Sequence, residues 1–252
     1  MTRHVRVVGI GAGDPDDLTL KAVAAIRSAD LFFLLEKGSE KQDLAGLRRR
    51  ILNRHARPPY RVVEIDDPVR DRTSPAYVDA VADWRRRRAD RYEQVIRDEV
   101  PPGGSGAFLV WGDPALYDST IAVLHEVTAR GAIAIDYTVV PGISSVASLA
   151  AAHRLSLTRV GRPVQITTGR RLAEEGMPPG VGDVVVMLDA RCAFTEIAGD
   201  RTDIFWGAYL GTPDEILVAG PVTQVADQIV VARAEARRRK GWIMDVYLLR
   251  TR

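Results

Sequence analysis

The sequence holds one cysteine, Cys192, in 252 residues. A lone thiol closes no intramolecular disulfide and builds no cysteine-based metal cluster, and it suits a reducing compartment. Histidine is scarce too. His4, His55, His125 and His153 are scattered, and none falls in the glycine-rich loops described below. A Ser-His-Asp hydrolase or a metal hydrolase therefore finds no support, and no metal is expected. Lysine is almost absent, with four against thirty-one arginines, a skew that genome base composition is enough to produce. No stretch reaches the roughly 18 apolar residues of a membrane span. The N-terminal "MTRHVRVVGIG" runs straight into a strand pattern and lacks the apolar core of a signal peptide. Net charge is only +2, which gives no global electrostatic case for a nucleic-acid or membrane partner. Internal repeats and low-complexity tails are missing. These absences point to a cytoplasmic, soluble protein.

What is present is a long alternation of apolar strands and amphipathic helices; 46% of the residues are hydrophobic, ample for one large domain or two smaller ones. Strand patterns cover Val5–Ile10, "DLFFLL" (30–35), "YRVVEI" (60–65), Ala107–Trp111 and Ile135–Val140. Between them, helices are predicted after the capping Thr19, over Asp43–Arg54, from Ser74-Pro75 onward, and over Ser119–Arg130 with Gly131 as stop. In the long third helix Val78, Val81, Trp84, Tyr92 and Val95 or Ile96 face inward. A second series follows, with strands in "PVQITTG", "VGDVVVMLDA", "TDIFWGAYLG", "DEILVAGP" and "WIMDVYLL". Helices fit Ser145–Ala152, the region of Ala193–Ile197, and Val222–Arg239. The expected fold class is α/β with two α/β domains, 1–142 and 143–252. The first carries a mainly parallel five-stranded sheet and the second a mixed one. Arg85–Arg88 and Arg237–Lys240 read as solvated helix faces rather than nucleic-acid contacts.

Three glycine loops stand at strand ends. "GIGAGDPDDLT" matches the first two glycines of a dinucleotide fingerprint, but Asp14 takes the third place. Asp14, Asp16 and Asp17 make this loop acidic, the wrong sign for a phosphate. No Walker A pattern is present, and a nicotinamide oxidoreductase is weakened accordingly. "LVWGDPALYDST" sets Gly112, Asp113 and Pro114 at the end of an apolar strand, and "VVPGISS" supplies Gly142, Ser144 and Ser145. In open α/β sheets ligands bind outside the carboxyl ends of the strands. Loops of backbone groups and acceptors suit a neutral or cationic ligand. Two plainer roles stay open: Asp113 as the cap of a helix beginning near Leu116, and Ser144 or Ser145 as the cap of the next helix.

These three loops, in this order, resemble the motifs of the tetrapyrrole methylases: G-x-G-x-(G/P)-x-x-x-L-T, G-D-P and P-G-I-(S/T)-(S/A). The resemblance implies two α/β domains with S-adenosyl-L-methionine folded into the cleft between them and S-adenosyl-L-homocysteine as product. It implies cofactor contacts at Trp111, Gly112, Asp113, Leu116, Ser144 and Ser145. In the second domain it implies contacts at Leu188, Leu210, Ile243 and Met244. The family's G-P-G-D is Gly13-Asp14-Pro15-Asp16 here, so the first-loop contact departs from the pattern. Further stretches ("KGSEKQDLAGLRR", "VRDRTSPAYVDAVADW", "VMLDARCAF", "FWGAYLGTPDEILVAGP", "GWIMDVYLL") resemble members that methylate a cobalamin precursor at C-1 and release acetate. Methyl transfer to an electron-rich carbon needs alignment and a dry cup more than a strong base. Acetate release asks for a base or water-orienting group, for which Glu36, Asp113 and Tyr117 are candidates. Arginine forks suit a polycarboxylate ring, and Lys37, Arg70, Arg72, Arg170, Arg171 and Arg191 stand near predicted strand ends. Apolar segments such as "LFFLL", with the family habit, point to a homodimer. The nearest alternative keeps fold and cofactor and changes the target, to another corrinoid carbon, an RNA or a protein.

Overall fold

Val5, Val7, Val8 and Ile10 at the start of the chain are all buried, so the first strand is covered on both faces. That is the signature of a parallel sheet with helices on either side. The computed structural model describes residues 1–36, 42–68, 77–197 and 199–252; at 36, 42–45, 77 and 78 it describes the backbone alone. The predicted helix start at Ser74-Pro75 lies outside the described residues. Contacts divide the chain into two compact units, Met1–Gly11 with Pro15–Ile143, and Ala12–Asp14 with Ser144–Arg252.

The first unit strings together β1 (Arg3–Gly9), α1 (Leu20–Arg27), β2 (Leu31–Glu36), α2 (Gln42–His55) and β3 (Arg61–Asp66). It continues with α3 (Tyr77–Glu99), β4 (Ser105–Val110), α4 (Thr120–Arg130) and β5 (Ile135–Val140). The five strands form one sheet in the order β3-β2-β4-β1-β5, with every neighbouring pair parallel. Side chains alternate across it. Val5, Val7, Phe33, Phe108 and Val110 pack with Tyr92 and Ile96 of α3 and Val123, Leu124 and Val127 of α4. Val8, Ile10, Phe32, Ala107 and Leu109 pack with Ala22 and Ile26 of α1 and Leu47 and Ile51 of α2. Right-handed crossovers produce this division: the chain steps toward the β3 edge after β1 and β2, and toward the β5 edge after β3 and β4.

Two expectations are corrected here. "LFFLL" is no exposed patch, because β2 lies inside the sheet between β3 and β4 and Leu31, Phe32, Phe33 and Leu34 are buried. Arg88 is not on a solvated face. It is 2% exposed, ion-paired with Asp67 at 3.0 Å and bonded to the Ser119 hydroxyl. Its guanidinium lies over the rings of Trp84 and Tyr92. The reason is phase: Trp84, Arg88 and Tyr92 are four residues apart and share one stripe of α3, while Arg85, Arg86 and Arg87 are exposed.

The second unit contains α5 (Ser145–Ala152), β6 (Val164–Thr168), α6 (Gly169–Glu175), β7 (Asp183–Met187) and α7 (Phe194–Ile197). β8 (Thr202–Ala208), β9 (Ile216–Pro221), α8 (Val222–Lys240) and β10 (Asp245–Thr251) complete it. Its sheet has the order β6-β7-β10-β8-β9; β6 and β7 are parallel and the other pairs antiparallel, so it is mixed. The short helix α6 is absent from the sequence reading. Its apolar signal is a single buried side chain, Leu172, and its start is fixed by Thr168, whose hydroxyl accepts from the Arg171 amide. No described helix is long and apolar enough to cross a membrane.

Candidate functional site

In the first unit the carboxyl ends of β1, β4 and β5 meet backbone to backbone. Gly112 N donates to Gly11 O at 2.8 Å, and Gly11 N to Gly112 O at 3.4 Å. A Cβ on Gly142 would overlap the Gly112 carbonyl oxygen, and one on Gly9 would come within 2.5 Å of the Gly142 nitrogen. Only glycine allows this approach. Asp113 completes the junction. Its Oδ1 accepts from the Ala115 amide at 2.7 Å and its Oδ2 from the Gly142 amide at 3.0 Å, 29 residues along the chain. The next helix begins only at Thr120, so Asp113 caps no helix; it ties the second glycine loop to the third. Nothing in the sequence spacing announces that link.

Trp111 stands one residue before this turn. It packs beside the α1/α2 core cluster, and its buried indole N–H has no hydrogen-bond partner among the described residues. Leu116 is half-buried. Tyr117 is 48% exposed and holds φ 52, a left-handed conformation that is costly for a bulky side chain. Asp118 accepts from the Thr120 amide at 2.7 Å. Glu36 is the last residue of β2 and is in register with Asp66 at the end of β3. Lys37, Arg70 and Arg72 lie outside the described residues. One arginine that sequence reasoning missed does reach the strand ends: Arg48 of α2 donates from Nε to the Leu109 carbonyl at 3.1 Å.

In the second unit the predicted positions converge on one end of the mixed sheet. Val246 pairs with Met187 and Asp245 with Ala208, which places Leu188, Tyr209 and Met244 just beyond that end. Tyr209 N donates to Met244 O at 3.0 Å, and its hydroxyl donates to Trp242 O at 2.6 Å, bracketing Ile243. Leu210 is buried, and its carbonyl faces Gly13, where a Cβ would overlap it; Asp14 lies against Gly211. Gly13 and Asp14, which are counted with the second unit, thus lie against the Leu210–Thr212 turn. Leu188 is 66% exposed and holds φ 55, and Tyr209 holds φ 50. Tyr117, Leu188 and Tyr209 are three of the five described non-glycine residues with positive φ. Such strain persists where surrounding structure enforces it, and functional loops are its usual home.

Ser144 is the cap of α5: its hydroxyl accepts from the Ala147 amide at 3.3 Å, and Ser145 is the first helical residue. Arg170, the second residue of α6, pairs with Glu174 at 3.9 Å, while Arg171 pairs with Glu175 at 2.7 Å. Arg191 is exposed, and its amide donates to Asp189 at 2.9 Å. Asp189 also accepts from the Ala193 amide and the Tyr247 hydroxyl, each at 2.7 Å. Burial, with the Asp189 charge, pushes the Tyr247 phenol far above its ordinary range. The donor set fits a sulfonium nucleoside. Among the described residues it offers crowded glycine backbones, carbonyls, one unpartnered indole N–H and acidic side chains in the first loop, and no cradle for a diphosphate.

A family model of the tetrapyrrole (corrin/porphyrin) methylases matches residues 4–226. A curated relative from Sinorhizobium sp., precorrin-6A synthase (deacetylating), is 47% identical over 249 residues, covering 98% of this chain and 95% of its own. A cobalamin-synthesis-related protein (CobF) from Corynebacterium diphtheriae has a crystal structure similar over 100% of this chain and 99% of its own, with TM-score 0.86 and 36% identity. Uroporphyrin-III C-methyltransferase from Thermus thermophilus, solved with S-adenosylhomocysteine, shares the fold at 20% identity. It has TM-score 0.59 over 98% of this chain and 96% of its own.

Proposed function

The chain belongs to the tetrapyrrole (corrin/porphyrin) methylases, and from that membership we propose that it is an S-adenosylmethionine-dependent C-methyltransferase that methylates precorrin-5 at C-1 and releases acetate to give precorrin-6A. The near full-length identity to precorrin-6A synthase (deacetylating) supports the reaction. The observation that carries it at the level of geometry is the backbone junction of Gly9, Gly112 and Gly142, fastened by Asp113.

S-adenosylmethionine, when bound, supplies a methyl group on a positively charged sulfur. In the first unit the Trp111–Asp113 turn and Leu116 would hold its methionine and ribose parts. Ser144 and Ser145 form the other small-residue turn. In the second unit Leu188, Leu210, Ile243 and Met244 would surround the adenine through backbone groups. Packed glycine turns supply fixed carbonyl dipoles and little room for water, so charge redistribution meets a preorganised environment. The ring carbon's electron pair would form the new C–C bond to a methyl held there, while the C–S pair stayed on sulfur. No protein base is needed for that step.

Acetate release is different. Water must add to an acyl carbonyl, the C–C bond to the ring breaks, and the ring accepts the electron pair while a proton leaves. Asp113 already accepts an amide at each oxygen, so its part is to fix the turn. Glu36, ending β2, and the exposed Tyr117 are the groups we assign to orient that water. Arg170 and Arg191, with Lys37, Arg70 and Arg72, are proposed carboxylate contacts of the ring. We further propose that the enzyme acts in the cytoplasm as a homodimer, with no nucleic-acid or membrane partner. The dimer now rests on the family habit, since the "LFFLL" argument falls; sedimentation of the purified protein checks it.

The decisive experiment incubates the protein with precorrin-5 and methyl-labelled S-adenosylmethionine and assays the labelled ring and free acetate together. Equal amounts are expected. Label on the ring without acetate would remove the deacetylating half.

A further inference from the structure

The first sheet comes apart at one place. Strands β2 and β4 pair only through Leu31, Phe32 and Phe33 against Gly106, Ala107 and Phe108. Beyond that, β2 goes on pairing with β3 as far as Glu36, and β4 with β1 as far as Val110. The chain leaves β2 toward one edge of the sheet and β4 toward the other, which makes this gap the topological switch point of the unit. Crevices at such points are where open α/β sheets take their ligands.

Arg48 comes to this gap. Its Nε bonds to the carbonyl of Leu109, the first β4 residue past the last β2 pair. Leu109 and Trp111 point to the α1/α2 face, from which Arg48 arrives. Tyr92 stacks on Phe108 from the opposite face. The Val110 carbonyl accepts from Ile10 on the β1 side, so the Leu109 carbonyl faces the β2 side, and Arg48 meets it there.

Its company is unusual for this molecule. Arg88 faces Asp67, Arg233 faces Asp245, and Arg159 and Arg250 share Asp183. Arg48 makes no ion pair with a described residue, and burial depresses its basicity. One carbonyl satisfies one of five N–H donors, leaving a planar fork suited to a carboxylate. Arg48 is half-buried, and a bound anion would offset the desolvation of its guanidinium.

We infer that Arg48 is a specificity-determining residue whose guanidinium, seated in the wedge between β2 and β4, receives a carboxylate of the tetrapyrrole. This rests on the reading of the substrate as a polycarboxylate ring. The test uses two stable probes, uroporphyrin III and S-adenosylhomocysteine, titrated into the wild-type protein and into Arg48→Met and Arg48→Lys. In Arg48→Met, uroporphyrin affinity should fall about ten- to hundredfold, the range of a charge-assisted bond, with S-adenosylhomocysteine affinity unchanged. Arg48→Lys keeps the charge, loses the fork, and should fall by a smaller factor. Affinities for uroporphyrin that match wild type in either variant would overturn the inference, and a lowered melting temperature beside them would leave Arg48 as a prop for the Leu109 carbonyl. If Arg48→Met does not fold, Arg48→Lys alone decides by the same comparison. A wild-type protein that binds S-adenosylhomocysteine but not uroporphyrin would instead sink the substrate class, and this inference with it.

Discussion

Asp113 shows how a single side chain divides two kinds of role. Both oxygens accept backbone amides, one of them across 29 residues. Asn at this position keeps one acceptor and presents an amide donor to a donor. Asp113→Asn is therefore expected to lose about 1–3 kcal/mol of stability and to weaken S-adenosylmethionine binding, measured by thermal melting and calorimetry. A catalytic base would behave otherwise, with binding intact and turnover lost. Gly142 makes a harder case, because an added methyl meets the backbone of Gly112 rather than a movable side chain. Gly142→Ala should cost about 3 kcal/mol or more and abolish cofactor binding; a variant that melts like wild type would refute the close approach. The glycines were legible because backbone crowding leaves no other residue type. The Asp113 tie was not, since a hydrogen bond between distant loops leaves no periodic trace.

Helices reveal a second limit of pattern reading. Arg48 lies in "LRRR" and Arg88 in "RRRR", and a run of one residue type hides which member turns inward. For α3 the signal existed: Trp84 and Tyr92 set the phase and Arg88 falls on it. Arg88→Met should destabilise by about 3–5 kcal/mol, because it breaks the buried ion pair with Asp67. Adding Asp67→Asn should recover part of that loss in a double-mutant cycle, and strict additivity would deny the coupling. The C-terminal end of α2 offers a pH test. Burial, with the Arg54 and Arg27 charges, lowers the His55 pKa from its ordinary 6.5, Asp16 opposing. The native state then holds that proton less tightly than the unfolded chain. Stability is full above about pH 6.5 and declines as pH falls below it. Melting temperatures of His55→Gln between about pH 7 and 5 should show a flatter decline than wild type. Unlike these, α6 gave almost no trace, since one buried leucine between arginine and glutamate pairs defines no stripe.

The strand-helix alternation made both sheets legible, the parallel one from runs covered on both faces and the mixed one from a surplus of strands. Strand order was not legible, because crossover direction is not written in periodicity. Charge is a property of the whole chain, and +2 predicts weak attraction for polyanions. Binding of ribosomal RNA fragments should be feeble, with a shallow dependence on salt; a steep slope would revive an RNA target. One tripeptide carries a last consequence. Ala12–Asp14 is counted with the second unit, although the chain on both sides of it belongs to the first. Gly13 is fitted to the turn at Leu210–Thr212 so closely that nothing bulkier enters. No single scissor cut therefore yields both halves whole. A gene fragment encoding 144–252 would be missing a peg that its own fold expects, and anyone dissecting the enzyme must supply those three residues in trans or by circular permutation.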